Sequence, residues 1–77
     1  MATYTSDEQR ARQSIKEELQ AISDYEDRQL ASSSVPLKNV FAHLIKEEKQ
    51  HAALLIDWLT KHDKQQGEFL ITQSKVD

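Results

Sequence analysis

Three side chains in this sequence have the types and the spacing to grip a metal ion. Glu48-Lys49-Gln50-His51 reads Glu-x-x-His. Residues three apart on a helix share a face one turn apart, so a carboxylate oxygen and an imidazole nitrogen can converge on one cation. Stepping along this stretch by alternating fours and threes gives Leu37, Phe41, Leu44, Glu48, His51, Leu55, Trp58 and His62, a heptad seam that is apolar except at the Glu and the two His residues. An earlier stretch repeats the pattern as Ile15, Glu18, Ile22 and Tyr25. A carboxylate inside an apolar stripe costs several kcal/mol unless something neutralises it, and a divalent cation does so.

The elements that must position these groups are helical. Ser6-Asp7-Glu8-Gln9 fits a capping box, and nothing breaks a helix from Asp7 to about Ala31. Ser32-Ser33-Ser34-Val35-Pro36 then stops one helix and starts another, since Pro suits a first helical turn. The second helix is expected over about 36–62, with His62 suited to a helix C-terminus. Asp63 can cap a short third helix over about 64–72, which Gly67 weakens and whose apolar side is Phe69 and Leu70. The expected fold is all-α: an antiparallel two-helix hairpin plus a short C-terminal helix. Folding about Ser34 places Glu18 sixteen residues before the turn and Glu48 and His51 fourteen and seventeen after it. Helix rise brings all three to one level, roughly 21–26 Å from the turn.

Size and composition narrow the field. The 77 residues (8.9 kDa) make a single domain, 1–77. With no Cys, one Gly and one Pro, disulfide scaffolds, thiolate metal sites and loop-rich β folds are excluded. The longest apolar run, Ala52-Ala53-Leu54-Leu55-Ile56, is far short of the ~20 residues of a membrane span, and the first twenty residues have no signal-peptide core. A net charge of −3 and a pI near 5.5 argue against nucleic-acid binding. A chain this short rarely buries enough surface alone. A two-fold dimer of hairpins, closing a four-helix bundle, would cover the exposed faces and double the one Glu and one Glu-x-x-His that each hairpin supplies.

The stretches Glu17-Glu18-Leu19-Gln20-Ala21-Ile22 with Tyr25 and Arg28, Val40-Phe41-Ala42-His43, Glu47-Glu48-x-x-His51-Ala52, Asp57-Trp58-Leu59 and Phe69-Leu70-Ile71-Thr72 together resemble encapsulated ferritin-like proteins, over residues 15–73. The resemblance implies a truncated ferritin whose dimers form ferritin-like four-helix bundles and close into an annular homodecamer. It implies a ferroxidase acting on Fe(II), cytoplasmic and held inside an encapsulin nanocompartment whose shell stores the iron. Carried over by position, Glu18 bridges two irons, Glu48 and His51 are terminal ligands, and Tyr25 is the phenol just behind them. Glu17, Gln20, His43, Glu47 and Gln50 fall where accessory cation sites lie. Here Gln20 and Gln50 stand where many members have Glu, and Asp24 where many have Trp, although Glu17 and Asp24 at i, i+7 still share a helix face. The closing Gln73-Ser74-Lys75-Val76-Asp77 has no Leu-rich targeting segment.

The donor set agrees with iron, or with manganese, better than with zinc or copper(I): carboxylate oxygens plus one imidazole per metal. Two such metals ~3.5–4 Å apart can each give an electron to dioxygen. Two other readings use the same residues. One is a rubrerythrin-like or manganese peroxide scavenger. The other is a non-enzymatic helical assembly module in which the polar seam residues fix register. Tyr25 and Trp58 also read as packing, and His43 with Glu47 also reads as a solvated i, i+4 pair.

Overall fold

The structure is a computed structural model that describes the backbone of residues 6–76 and the side chains of residues 6–62. Two helices make up the described chain, α1 (Asp7–Ala31) and α2 (Val35–Val76). The Ser6 capping box is complete: Gln9 N–H donates to Ser6 Oγ at 3.1 Å, and Ser6 N–H donates to Gln9 Oε1 at 3.3 Å. Asp7 and Glu8 in the first turn and Arg28 in the last oppose the helix dipole with the right signs.

The turn needs no glycine and no positive φ. Ser32 leaves the helix in an extended conformation, its N–H still donating to Arg28 O at 3.0 Å. Ser32 Oγ accepts from Ser34 N–H at 3.1 Å, and Ser34 Oγ accepts from Leu37 N–H at 3.3 Å, so Ser34 caps α2. Across the turn, the Gln29 amide donates to Lys38 O at 3.2 Å.

Pairs of contacting residues run in opposite directions along the two helices: Gln29 with Lys38, Tyr25 with Phe41, Glu18 with His51, Glu8 with His62. The hairpin is therefore antiparallel, and residue 7 lies opposite about residue 62. The expected short third helix is not present as a separate element. α2 continues through Asp63 and Gly67 to Val76, past the start of α1. One Gly costs about 1 kcal/mol in a helix interior, whereas stopping at Asp63 would forfeit continuous backbone hydrogen bonding through good helix formers. His62 accordingly sits inside a helix, not at its C-terminus.

Burial shows which residues make the seam. On α1 the positions Glu8, Ala11, Ile15, Glu18, Ile22, Tyr25 and Gln29 are all buried or half-buried, in steps of three and four, and so is Ser32 just after it. This agrees with the expected stripe. On α2 the covered positions, among the described side chains, are Lys38, Phe41, Leu44, Ile45, Glu47, Glu48, Ala52, Leu55, Leu59 and His62. The seam read from the sequence is thus corrected: Phe41, Leu44, Glu48, Leu55 and His62 are covered as expected, while Leu37, His51 and Trp58 are exposed on its flank. The reason is that α2 carries two overlapping apolar stripes. One, through Ile45 and Ala52, meets α1. The other runs through Leu37, Val40, Leu44, His51, Leu54 and Trp58, and of these only Leu44 is not exposed.

The hairpin core is small. Among the described residues only Ala11, Ile22, Ile45 and Ala52 are buried, none of them completely, and Leu54 is 70% exposed. No described helix is long and apolar enough to cross a membrane.

Candidate metal centre

α1 delivers Glu18 and α2 delivers Glu48 and His51 at one level of the hairpin, as helix rise requires. One donor atom from each lies within 4.8 Å of the other two. His51 Nδ1 is 3.7 Å from Glu18 Oε2 and 3.6 Å from Glu48 Oε2. These separations are too long for hydrogen bonds. They suit an interposed ion, because two donors each about 2.1 Å from one cation stand no more than about 4.2 Å apart.

Glu18 carries the clearest sign of a missing partner. Its Oε2 is buried yet has no hydrogen-bond donor. Such an orphan acceptor costs roughly 1–3 kcal/mol, more if charged. The Glu18 and Glu48 side chains are 25% and 20% exposed, and neither has a lysine or arginine ion pair among the described residues. His51 is 51% exposed and marks the open side of the group. Two carboxylates and an imidazole fit a hard or borderline divalent cation, and the orphaned oxygen gives that ion a place to bind.

The remaining sequence candidates lie outside this group. Tyr25 sits two turns along α1 from Glu18, its ring 6.0 Å from that of Phe41 and the Arg28 guanidinium 5.5 Å from its centroid. Glu17 accepts from the Gln13 amide at 3.3 Å, and Asp24 accepts from the Gln20 amide at 2.9 Å. His43 pairs with Glu47 on exposed surface. Each is occupied by a neighbour on its own helix. Among the described residues, Glu18, Glu48 and His51 form the one group of three potential metal donors.

Sequence reasoning missed what the open end of the hairpin builds on the same flank as His51. Asp7, Arg10, Ala11, Ser14, Leu55 and Trp58 line a groove of about 290 Å³. The signal was available: on α1, Ala11 and Ser14 are small, and they fall opposite Leu55 and Trp58 in the hairpin register.

The EncFtn-like family model matches residues 1–73. The chain is 40% identical over 68 residues to a protein named encapsulated ferritin-like protein from Rhodospirillum rubrum, covering 88% of this chain and 49% of that one. It is 34% identical over 53 residues to a ferritin-like protein from Thermotoga maritima, covering 69% of this chain and 46% of that one. The chain thus spans about half the length of these curated relatives. No solved structure matches it significantly. An all-helical hairpin that gathers Glu18, Glu48 and His51 at one level, matched over nearly its whole length, belongs to the EncFtn-like family.

Proposed function

We propose that the chain is half of a ferroxidase centre, completed by a second copy across a two-fold axis. The observation that carries this reading is the orphaned, buried Glu18 Oε2 facing His51 Nδ1 and Glu48 Oε2 at cation-binding separations. Two triads brought together place four carboxylates and two imidazoles around two Fe(II) ions, the substrate. In this arrangement Glu18 is shared between the ions, and Glu48 with His51 holds one ion in each half. Tyr25, two turns away, borders the site.

The chemistry follows from charge. Four carboxylates balance two divalent ions and favour the more highly charged ferric product. Each Fe(II) gives one electron. Dioxygen takes the pair with two protons and leaves as hydrogen peroxide. Manganese fits the same donors.

The second copy is supported by the unpartnered stripe of α2. Leu37, Val40, Leu54 and Trp58 are exposed on either side of His51. Covering what remains exposed of these four side chains, roughly half of the 1.5–3 kcal/mol that full burial of each brings, would add to the small hairpin core. The name of the Rhodospirillum rubrum relative supports an encapsulin shell as a further partner, and a larger ring of dimers belongs to the same proposal.

The test is anaerobic loading with Fe(II) followed by air. A rise in ferric absorbance, with peroxide appearing as product, is expected. Glu48→Ala should slow it by at least tenfold; a variant as fast as the wild type sinks the assignment. Net consumption of added peroxide with no reaction toward dioxygen would instead support a peroxide scavenger.

A further inference from the structure

The α1 wall of the open-end groove, Asp7, Arg10, Ala11 and Ser14, lies on the flank of the hairpin that also bears His51 and Trp58. Residues seven apart stay on one helix face with a drift of only about 20°. The line through Asp7 and Ser14 therefore continues to Ala21 and Arg28, and the line through Arg10 continues to Glu17 and Asp24. Ser14, Ala21 and Asp24 are half-buried, as side chains beside the seam should be, while Asp7, Arg10, Glu17 and Arg28 are exposed. In chain order this flank reads acid, base, small, acid, small, acid, base. Read backwards, every position outside Glu17 meets its complement: base for acid, acid for base, small for small.

We propose that this flank is a self-complementary docking surface on which a second copy of the chain lays its own α1 antiparallel. The proposal rests on the reading of the chain as half of a metal centre, and it fixes the register of the two halves. Asp7 meets Arg28 of the partner subunit, Arg10 meets Asp24 of the partner subunit, and Ser14 meets Ala21 of the partner subunit, each contact occurring twice. The small pair lets the helix axes approach. Parallel helices would instead set Asp7 against the partner's Asp7 and Arg28 against the partner's Arg28, so charge selects the antiparallel form.

The midpoint of this pattern falls between residues 17 and 18, at the level of Glu18. The two-fold axis that the charges demand is thus the one that would join two triads, an agreement that neither observation requires. On α2 the same axis passes His51. The partner's Leu44, seven residues before the partner's His51, then reaches the groove at Trp58, seven residues after His51. Glu17 falls beside the partner's Glu17, the one like-charge contact, at the level where bound cations offset it. Within one chain Asp7 pairs with Arg10 at 2.8 Å and Asp24 accepts from the Gln20 amide at 2.9 Å. Both contacts are on exposed surface, where such pairs are weak and give way readily to new partners.

The chain has no cysteine, so an introduced pair reports register directly. Full-length Ser14→Cys and Ala21→Cys chains are mixed with Mn(II) and mildly oxidised with glutathione disulfide. The mixture should give a covalent dimer holding one chain of each kind. Each variant alone should give about a tenth as much or less, because its own image lies seven residues along, about 10 Å, beyond the ~7 Å that a disulfide spans. In sedimentation velocity, Asp7→Arg and Arg28→Asp should each associate about tenfold more weakly than wild type, and an equimolar mixture of the two should recover, since like charges then meet opposite ones. The cysteine pair carries the test if a charge variant fails to fold. If the wild type associates but the cysteine mixture cross-links no better than either variant alone, the register is overturned and the metal-centre reading stands. Folded charge variants whose mixture associates no better than either alone have the same meaning. A wild type that stays monomeric with Mn(II) removes both readings.

Discussion

Replacing Glu18 by Gln should stabilise the metal-free protein and destroy its stabilisation by metal. The side chain keeps its shape, but the charge is lost and the orphaned position gains a neutral amide. The wild-type carboxylate holds a buried Oε2 without a donor, close to Glu48 and, among the described residues, without a lysine or arginine ion pair to offset it. Relieving that oxygen is worth roughly 1–3 kcal/mol. For a chain of 60–100 residues, each kcal/mol moves Tm by about 4–8 °C. An apo Tm about 4–8 °C above wild type is the conservative expectation. With cation at 100 times its Kd, the wild type gains about 2.7 kcal/mol, or roughly 10–20 °C, and the variant should gain almost nothing. The assay is thermal unfolding by circular dichroism, with chelator and with Fe(II) under anaerobic conditions. Protomer concentration must be matched, because association also raises Tm. If Glu18→Gln lowers the apo Tm and leaves the metal response intact, then Glu18 is a satisfied structural acid, and the reading of Oε2 as a vacant ligand would be falsified.

Further outcomes follow from the same geometry. Leu54→Glu places a charge on the exposed stripe of α2, and should weaken self-association by at least tenfold in sedimentation velocity, since one buried Leu alone is worth roughly 1.5–3 kcal/mol; unchanged association would remove this stripe from the interface. Ser6→Ala removes an acceptor from a complete capping box, and should cost about 1 kcal/mol and lower Tm by about 4–8 °C. Gly67→Ala should raise helical ellipticity and stability by up to about 1 kcal/mol, because Gly67 lies inside the continuous α2; a loss of ellipticity would favour a chain break there. Gln29→Ala, which deletes the hydrogen bond from the side-chain amide to Lys38 O, should lower stability by about 0.5–1.5 kcal/mol in chemical denaturation.

Much of this was legible in the residues. Ser6 and Gln9 announce the start of α1, and the Ser-Ser-Ser-Val-Pro stretch announces the turn, because caps and prolines act through local chemistry that a sequence displays directly. The common level of Glu18, Glu48 and His51 followed from counting residues from Ser34, since helix rise is nearly constant. The end of α2 was not legible. Asp63 has the chemistry of a cap, but capping is one option among several, and the cooperative gain of continuing the helix outweighs it. Nor did the sequence reveal Glu8 beside His62, a contact set by the register of two helices far apart in the chain.

The misplaced seam of α2 has a physical lesson that bears on the proposed dimer. A helix that meets one partner has one apolar stripe, and a heptad reading finds it. Over residues 35–62, α2 has apolar side chains at 35, 37, 40, 41, 42, 44, 45, 52–56, 58 and 59, so more than one stripe can be drawn, and a path through Leu37, Phe41, Leu44 and Glu48 crosses between the exposed one and the covered one. The intramolecular stripe buries Ile45 and Ala52 against α1. What remains is the face bearing His51, the most open of the three donors. If that second stripe served no partner, a polar sequence there would be more soluble, and exposed Leu54 and Trp58 would be a liability. A metal centre assembled from two hairpins demands the opposite: apolar cover around the donors, so that carboxylates and imidazole meet their counterparts with water excluded. On the proposed dimer, the ambiguity in reading the helix and the half-site of the triad would have one origin, a surface shaped for a copy of itself.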